Sequence, residues 1–287
     1  MSSKFFVFLC IMGLFAILSS TMSKSPVLAP FAASLGTPAY LMGFVAAAST
    51  IPGILVSLPA GSMSDRLGRG KVLFAAGLIF AIAPFLYLFV MDPYQLILVR
   101  FYHGFATAIL VPVANAAIVE KYPESRGEKV STFSSSTAVG RAIAPALGGY
   151  ILLVTVSNYH ELYIVVGIAG VLALFMAVGL HEKKEVRNKS EHRPSKSEKI
   201  ANKTGNGVNH STLRDWKEVA SNPRILVTSL VEAAQYYTYG AFEFYIVLYA
   251  QTLGIDSLSI GIVLAAEILT FVLAKPIMGK VSDKSGT

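Results

Sequence analysis

Apolar residues in this chain come in blocks of about 20, the length a helix needs to cross a bilayer, and the blocks are joined mostly by short polar connections. The pattern predicts eight spans, at about Lys4–Phe31, Tyr40–Ala60, Val72–Met91, Gln95–Val119, Thr132–Val156, Leu162–Leu180, Arg224–Ala250 and Ser259–Met278. Pro26, Pro52, Pro84, Pro112 and Pro145 fall inside these blocks. They are tolerated in membrane bundles, where neighbouring groups re-satisfy the freed backbone. The expectation is an all-α integral membrane protein. It has a six-helix bundle over residues 1–180, a polar linker at 181–222, and two further helices in 223–287.

Composition agrees: 54% of residues are hydrophobic and 14% charged, against about 25% charged in soluble domains. The net charge of +7 suggests nucleic acid until the charges are placed. All but four of the 24 lysines and arginines fall in the N-terminus and the connections at 61–71, 120–131, 181–224 and 279–287; the exceptions are Lys24, Arg100, Arg141 and Lys275. The opposite loops carry acids such as Asp92, Glu161 and Asp256. Basic loops mark the cytoplasmic side. The charge is therefore a topology signal: N-terminus and linker inside, a multi-pass protein of the cytoplasmic membrane, no nucleic-acid partner. A single cysteine, Cys10, excludes an internal disulfide and a multi-cysteine metal site.

The first twenty residues have the apolar run of a signal peptide but no clear A-x-A site, so they read as the first span. The linker is rich in Lys, Glu, Ser and Asn, with a short amphipathic piece at Leu213–Ala220. Its sequons at Asn188, Asn202 and Asn209 are read as chance, given a cytoplasmic position.

One motif occurs twice. Gly61, Ser64, Asp65 and Gly68 recur as Gly279, Ser282, Asp283 and Gly286, and Arg66 becomes Lys284. Duplicated helix sets are a mark of transporters. "GSMSDRLGRGKVL" (Gly61 to Leu73) resembles the loop between helices two and three of the major facilitator superfamily, G-x-L-a-D-R-x-G-R-K, with Arg69 matching the second arginine. "RFYHGFATA" (Arg100 to Ala108) resembles the fourth-helix motif R-x-x-q-G-x-x-x-A, with His103 for glutamine and Gly104 retained. "GRAIAPALGG" resembles the fifth-helix antiporter motif through Gly140, Pro145, Gly148 and Gly149, with Ala144 for a glycine. The resemblance implies the superfamily's helical bundle, here a complete N-terminal half plus the first two helices of the second. It implies that Asp65 contacts a helix end in the opposite half. The superfamily usually has twelve helices; this chain ends inside the second loop motif, which reads as a fragment or a shortened protein needing its missing helices or a partner chain.

Charges inside spans are costly, about 2.5–3.5 kcal/mol each on insertion scales, and face a partner or a cavity. The expected substrate and proton pathway comprises Lys24, Arg100, His103, Arg141, Glu232, Gln235, Tyr236, Tyr239, Glu243 and Glu267. Glu232, Tyr236, Tyr239 and Glu243 share one helical stripe by their spacing. Carboxylates withdrawn from water exchange protons nearer neutral pH, so Glu232 or Glu243 is the expected proton carrier. The tyrosines offer aromatic surface to an amphipathic or cationic substrate.

No H-E-x-x-H, Walker, G-x-G-x-x-G or G-x-S-x-G pattern is present, so no enzyme, cofactor or metal is expected. The leading expectation is proton-coupled efflux of a small organic molecule by alternating access. The rivals are nutrient symport and a truncated, non-transporting membrane protein.

Overall fold

The computed structural model describes residues 2–180, 221 and 223–285, and the linker expectation, with its sequons and amphipathic piece, falls almost wholly outside them. Ten α-helices are described: α1 Ser2–Met22, α2 Leu28–Ser34, α3 Ala39–Ala47, α4 Thr50–Leu67, α5 Arg69–Leu86, α6 Pro93–Lys121, α7 Arg126–Val154, α8 Tyr159–Gly179, α9 Pro223–Thr252 and α10 Ser257–Ser285. Among the described residues, six segments are long and apolar enough to cross a membrane: Lys4–Met22, Ala39–Ser57, Arg69–Phe89, Pro93–Lys121, Pro123–Val154 and Tyr159–Gly179. The seventh expected span forms α9, which falls short of that measure; in α10 the apolar stretch is the shorter Ser257–Thr270.

The first two expected spans are interrupted. Helix α1 stops at Met22 and the chain turns before α2, with Lys24 and Ser25 N–H groups both on Thr21 O, at 3.0 and 2.8 Å. Pro26 follows, and its missing N–H and ring prevent the helix from continuing. The second span breaks at Ala48–Ser49, three residues before Pro52. The repeated motif also differs from a loop: α4 stays helical through Gly61 to Leu67, and only Gly68 turns, at φ +96°, a conformation glycine adopts without penalty. The second copy is helical through Ser285, with Gly279 and Asp283 inside α10; Gly286 lies outside the described residues.

Helix starts are set by side chains. Asp92 accepts from the N–H groups of Tyr94 and Gln95 at 2.8 and 3.0 Å, with Pro93 at the first helical position of α6. Asn158 caps α8 by accepting from His160 and Glu161. Asp256 caps α10: it accepts from the Ser259 hydroxyl at 2.6 Å and the Ser259 N–H at 2.9 Å, bonds that hold its carboxyl below the usual aspartate range. With the folded value lower than the unfolded one, the cap's contribution is whole at neutral pH. It declines as pH falls from about 4 through the folded value. Asp256→Asn should flatten that part of the acid dependence in thermal melts taken between neutral and strongly acidic pH.

The contacts divide the chain into two units, residues 1–182 with 242–287, and residues 183–241. In the first, α1 packs against α7 and α8, α4 against α6, and α5 against α6 and α8, while α10 lies along α7. Leu9, Met12, Phe80, Leu110 and Phe133 fill the core between α1, α5, α6 and α7. Two crossings of α7 are backbone to backbone. A Cβ on Gly140 would lie 2.4 Å from Leu14 O, and one on Gly149 2.2 Å from Ser257 O. Pro145 O stands equally close, 2.3 Å, to a Cβ built on Gly261 of α10, so the fifth-helix stretch is a packing surface, as its small residues imply. In the second unit, the described side chains of α9 are exposed.

Candidate functional site

The spans place two separate groups of polar side chains inside the first unit. The first lies on α6. Arg100 is buried, 2% exposed, and points at the break between α3 and α4. Its Nε donates to Val45 O at 3.3 Å, and its Nη2 donates to Ala46 O at 3.5 Å and Ser49 Oγ at 2.7 Å. The interrupted helix leaves carbonyls without intrahelical donors; a guanidinium, with five N–H groups in a fixed fork, can satisfy several at once. One turn later Gly104 lets Ser49 approach so closely that a Cβ would sit 2.3 Å from its carbonyl oxygen.

His103 is also buried and stands 3.4 Å, Nδ1 to hydroxyl, from Tyr87. Tyr87 stacks flat on Tyr163, centroids 4.3 Å apart, and the Tyr163 hydroxyl donates to Ser23 O at 3.5 Å. His103 Nε2 has no hydrogen-bond partner among the described residues. Nothing in the sequence marks Ser49, Tyr87 or Tyr163, because each acquires its role from a helix distant in the chain.

The second group joins the turn after α1 to α9. Lys24 Nζ lies 2.7 Å from Glu243 Oε2; the lysine side chain is 43% exposed and the carboxylate only 11%. Beside them is a crevice of about 10 Å³ lined by Lys24, Ser25, Pro26, Ala29, Glu243, Phe244 and Val247. Glu267, on α10, is half-buried.

The other expected residues lie elsewhere. Arg141 is exposed on α7, while Glu232, Gln235, Tyr236 and Tyr239 are exposed on the α9 segment of the second unit. In the repeated motif, Arg69 pairs with Asp65 and, at 3.3 Å, with Glu120; it also donates to Ser64 Oγ and, at 3.1 Å, to Gly61 O, while Arg66 is exposed. An open hollow of about 660 Å³ adjoins this cluster, lined by Ser64, Asp65, Arg69, Asn115 and Glu120 among others. No group of three or more metal-ligating side chains occurs among the described residues.

A sequence model described as Major Facilitator Superfamily matches residues 5–287. The chain belongs to the major facilitator superfamily. It is 24% identical over 263 residues to an uncharacterised MFS-type transporter of Methanocaldococcus jannaschii, a match covering 91% of this chain and 64% of that protein. A protein named for multidrug resistance, MdtD of Salmonella paratyphi B, is 30% identical over 128 residues, 43% of this chain and 27% of the relative. Among solved structures, a bacterial homologue of the human lysosomal transporter Spinster, inward-facing and unoccupied, superposes with a TM-score of 0.79 at 17% identity. That match covers 99% of this chain and 63% of the other, so it shows the fold. The superfamily member described here thus spans less than two thirds of the length of these two full-coverage matches.

Proposed function

We propose that this superfamily member is a secondary active transporter that exports a small organic molecule across the cytoplasmic membrane in exchange for protons. The N-terminus and linker would face the cytoplasm, as the basic loops require. The observation that carries the reading is Glu243: a carboxylate 11% exposed within a bundle of apolar helices, held by a lysine from the six-helix half. A proton on Glu243 cancels the charge that holds Lys24, so proton binding and a contact between the two halves are linked. The relative named for multidrug resistance favours a drug-like or metabolite substrate, and the fifth-helix stretch favours exchange over symport. Glu232, Gln235, Tyr236 and Tyr239 would add polar and aromatic surface along the same helix.

The test is the full-length protein in vesicles with an acidic interior that contains a pH-sensitive dye. Added compounds from a drug-like panel should dissipate the gradient, without ATP, and a protonophore should end their accumulation. Compound movement indifferent to the gradient would overturn proton coupling.

A further inference from the structure

The peptide unit that leads into Lys24 is held at both ends. Its N–H, on Lys24, donates to Thr21 O at 3.0 Å, and its carbonyl, on Ser23, accepts the Tyr163 hydroxyl of α8 at 3.5 Å. We propose that Tyr163, with Tyr87 and His103 behind it, is a positioning residue that aims Lys24 at Glu243 through the Ser23 carbonyl. The inference rests on the transport reading above for its purpose and adds to it residues that touch neither Lys24 Nζ nor Glu243.

Three observations carry it. First, the carbonyl takes its donor from another helix. Ser23 lies just past the end of α1, where carbonyls lose their intrahelical partners. A peptide unit is planar, so holding its oxygen and its N–H together fixes Lys24 Cα and the direction in which the side chain leaves. Second, Tyr163 has no freedom to turn away. It is 1% exposed and stacks on Tyr87 with the ring planes 6° from parallel and centroids 4.3 Å apart, while Phe31 lies against it at 5.4 Å. Rings packed in this way have no space for another rotamer. One turn earlier on α1, Ser19 Oγ donates to Val166 O at 3.0 Å, which fixes the register of α1 on α8. Third, Tyr87 is held in turn. Its hydroxyl stands 3.4 Å from His103 Nδ1, and the buried imidazole meets Phe80 edge-on at 6.0 Å. His103 follows Arg100 by one turn of α6, and Arg100 holds the break between α3 and α4. Polar side chains from α6 and α8 therefore hold both helix interruptions, and a column of rings joins them.

The far end of this column is the contact between the halves, Lys24 Nζ at 2.7 Å from Glu243 Oε2. Lysine has a flexible four-carbon stem, so its tip stays on one carboxylate only where its Cα is held. Without the Tyr163 hydroxyl the stack remains, but the Ser23 carbonyl is free to swing and the ammonium drifts from Glu243.

The test is the rate at which the Lys24 amine of the purified full-length protein in detergent is acetylated by sulfo-N-hydroxysuccinimide acetate, followed peptide by peptide by mass spectrometry at one neutral pH. An amine engaged by a carboxylate reacts slowly. Tyr163→Phe keeps the ring stack and removes the hydroxyl, and Lys24 should then react about three- to tenfold faster, the equilibrium factor of one hydrogen bond. His103→Leu should also speed Lys24, whereas His103→Gln, whose amide can still meet the Tyr87 hydroxyl, should match the parent. Lys4 and Lys129 should keep their parental rates throughout, because a positioning role moves one amine and a loosened fold moves all three. If His103→Leu does not fold, Tyr163→Phe decides alone. A parental Lys24 rate in Tyr163→Phe, equal acceleration of all three lysines, or His103→Gln reacting as fast as His103→Leu would overturn the proposal. Because no pH gradient is involved, the expected rates together with gradient-independent transport would overturn proton coupling alone.

Discussion

Glu243→Gln should abolish gradient-driven transport by the full-length protein while leaving a folded bundle. Glutamine keeps the shape of the side chain and an oxygen that can accept from Lys24 Nζ, now 2.7 Å away. What it removes is the ability to change charge, and a group that cannot take up a proton cannot pass one on. The structural cost is small for a physical reason. Lys24 is 43% exposed, and a pair that is only partly enclosed contributes little to stability, while the amide oxygen still offers the ammonium an acceptor. Flux driven by a pH difference should therefore fall to the level of empty vesicles, while the melting temperature moves by a few degrees at most. Glu232→Gln is the comparison: it alters an exposed carboxylate eleven positions earlier on α9 and should reduce flux less. Parental flux in Glu243→Gln would remove this residue from the proton path.

How far the sequence reaches can be seen residue by residue. Blocks of apolar residues locate the membrane-crossing helices because burial in lipid needs only length and hydrophobicity. Caps such as Asp92 before Pro93 are legible for the same reason, their chemistry being local. The interruptions at Met22 and Ala47 were not, although Pro26 and Pro52 lie next to them. Whether a proline kinks a helix or ends it depends on who takes the freed carbonyls. At the second break that is Arg100, some 54 positions away from Ala46. Charged residues within spans were recognisable by type, since such residues need partners, but the partners were not. Lys24 and Glu243 are separated by 219 positions, and no pattern in either neighbourhood names the other. The repeated motif misled in one respect: glycines that look like turn residues sit in helix at Gly61 and turn only at Gly68.

The break that Arg100 holds is also where a single methyl group should do most harm. Gly104→Val should prevent the six-helix half from assembling, because a Cβ there would lie 2.3 Å from Ser49 O and 2.9 Å from both Ser49 C and Ser49 Cα. All three are backbone atoms, so no side chain can rotate aside. Nor can the segment retreat freely: Arg100, one turn earlier on α6, grips Ser49 Oγ at 2.7 Å and Val45 O at 3.3 Å, and moving Ser49 outward would strip a buried guanidinium of its acceptors. Overpacking usually costs about 1–3 kcal/mol where neighbours can yield; here the shift also disturbs hydrogen bonds to a charged group, each worth about 1.5–3 kcal/mol. Even Gly104→Ala carries the offending atom and should be damaging. Gly43→Ala is the control, since a Cβ at that helical position has nothing within 4 Å and alanine is the better helix former. Size-exclusion profiles and thermal melts of the three variants in detergent check this. Aggregation of both Gly104 variants beside a parent-like Gly43→Ala is the expected result, whereas a monodisperse, stable Gly104→Val would mean that α3 and α4 can slide on α6 and that Arg100 does not fix the break.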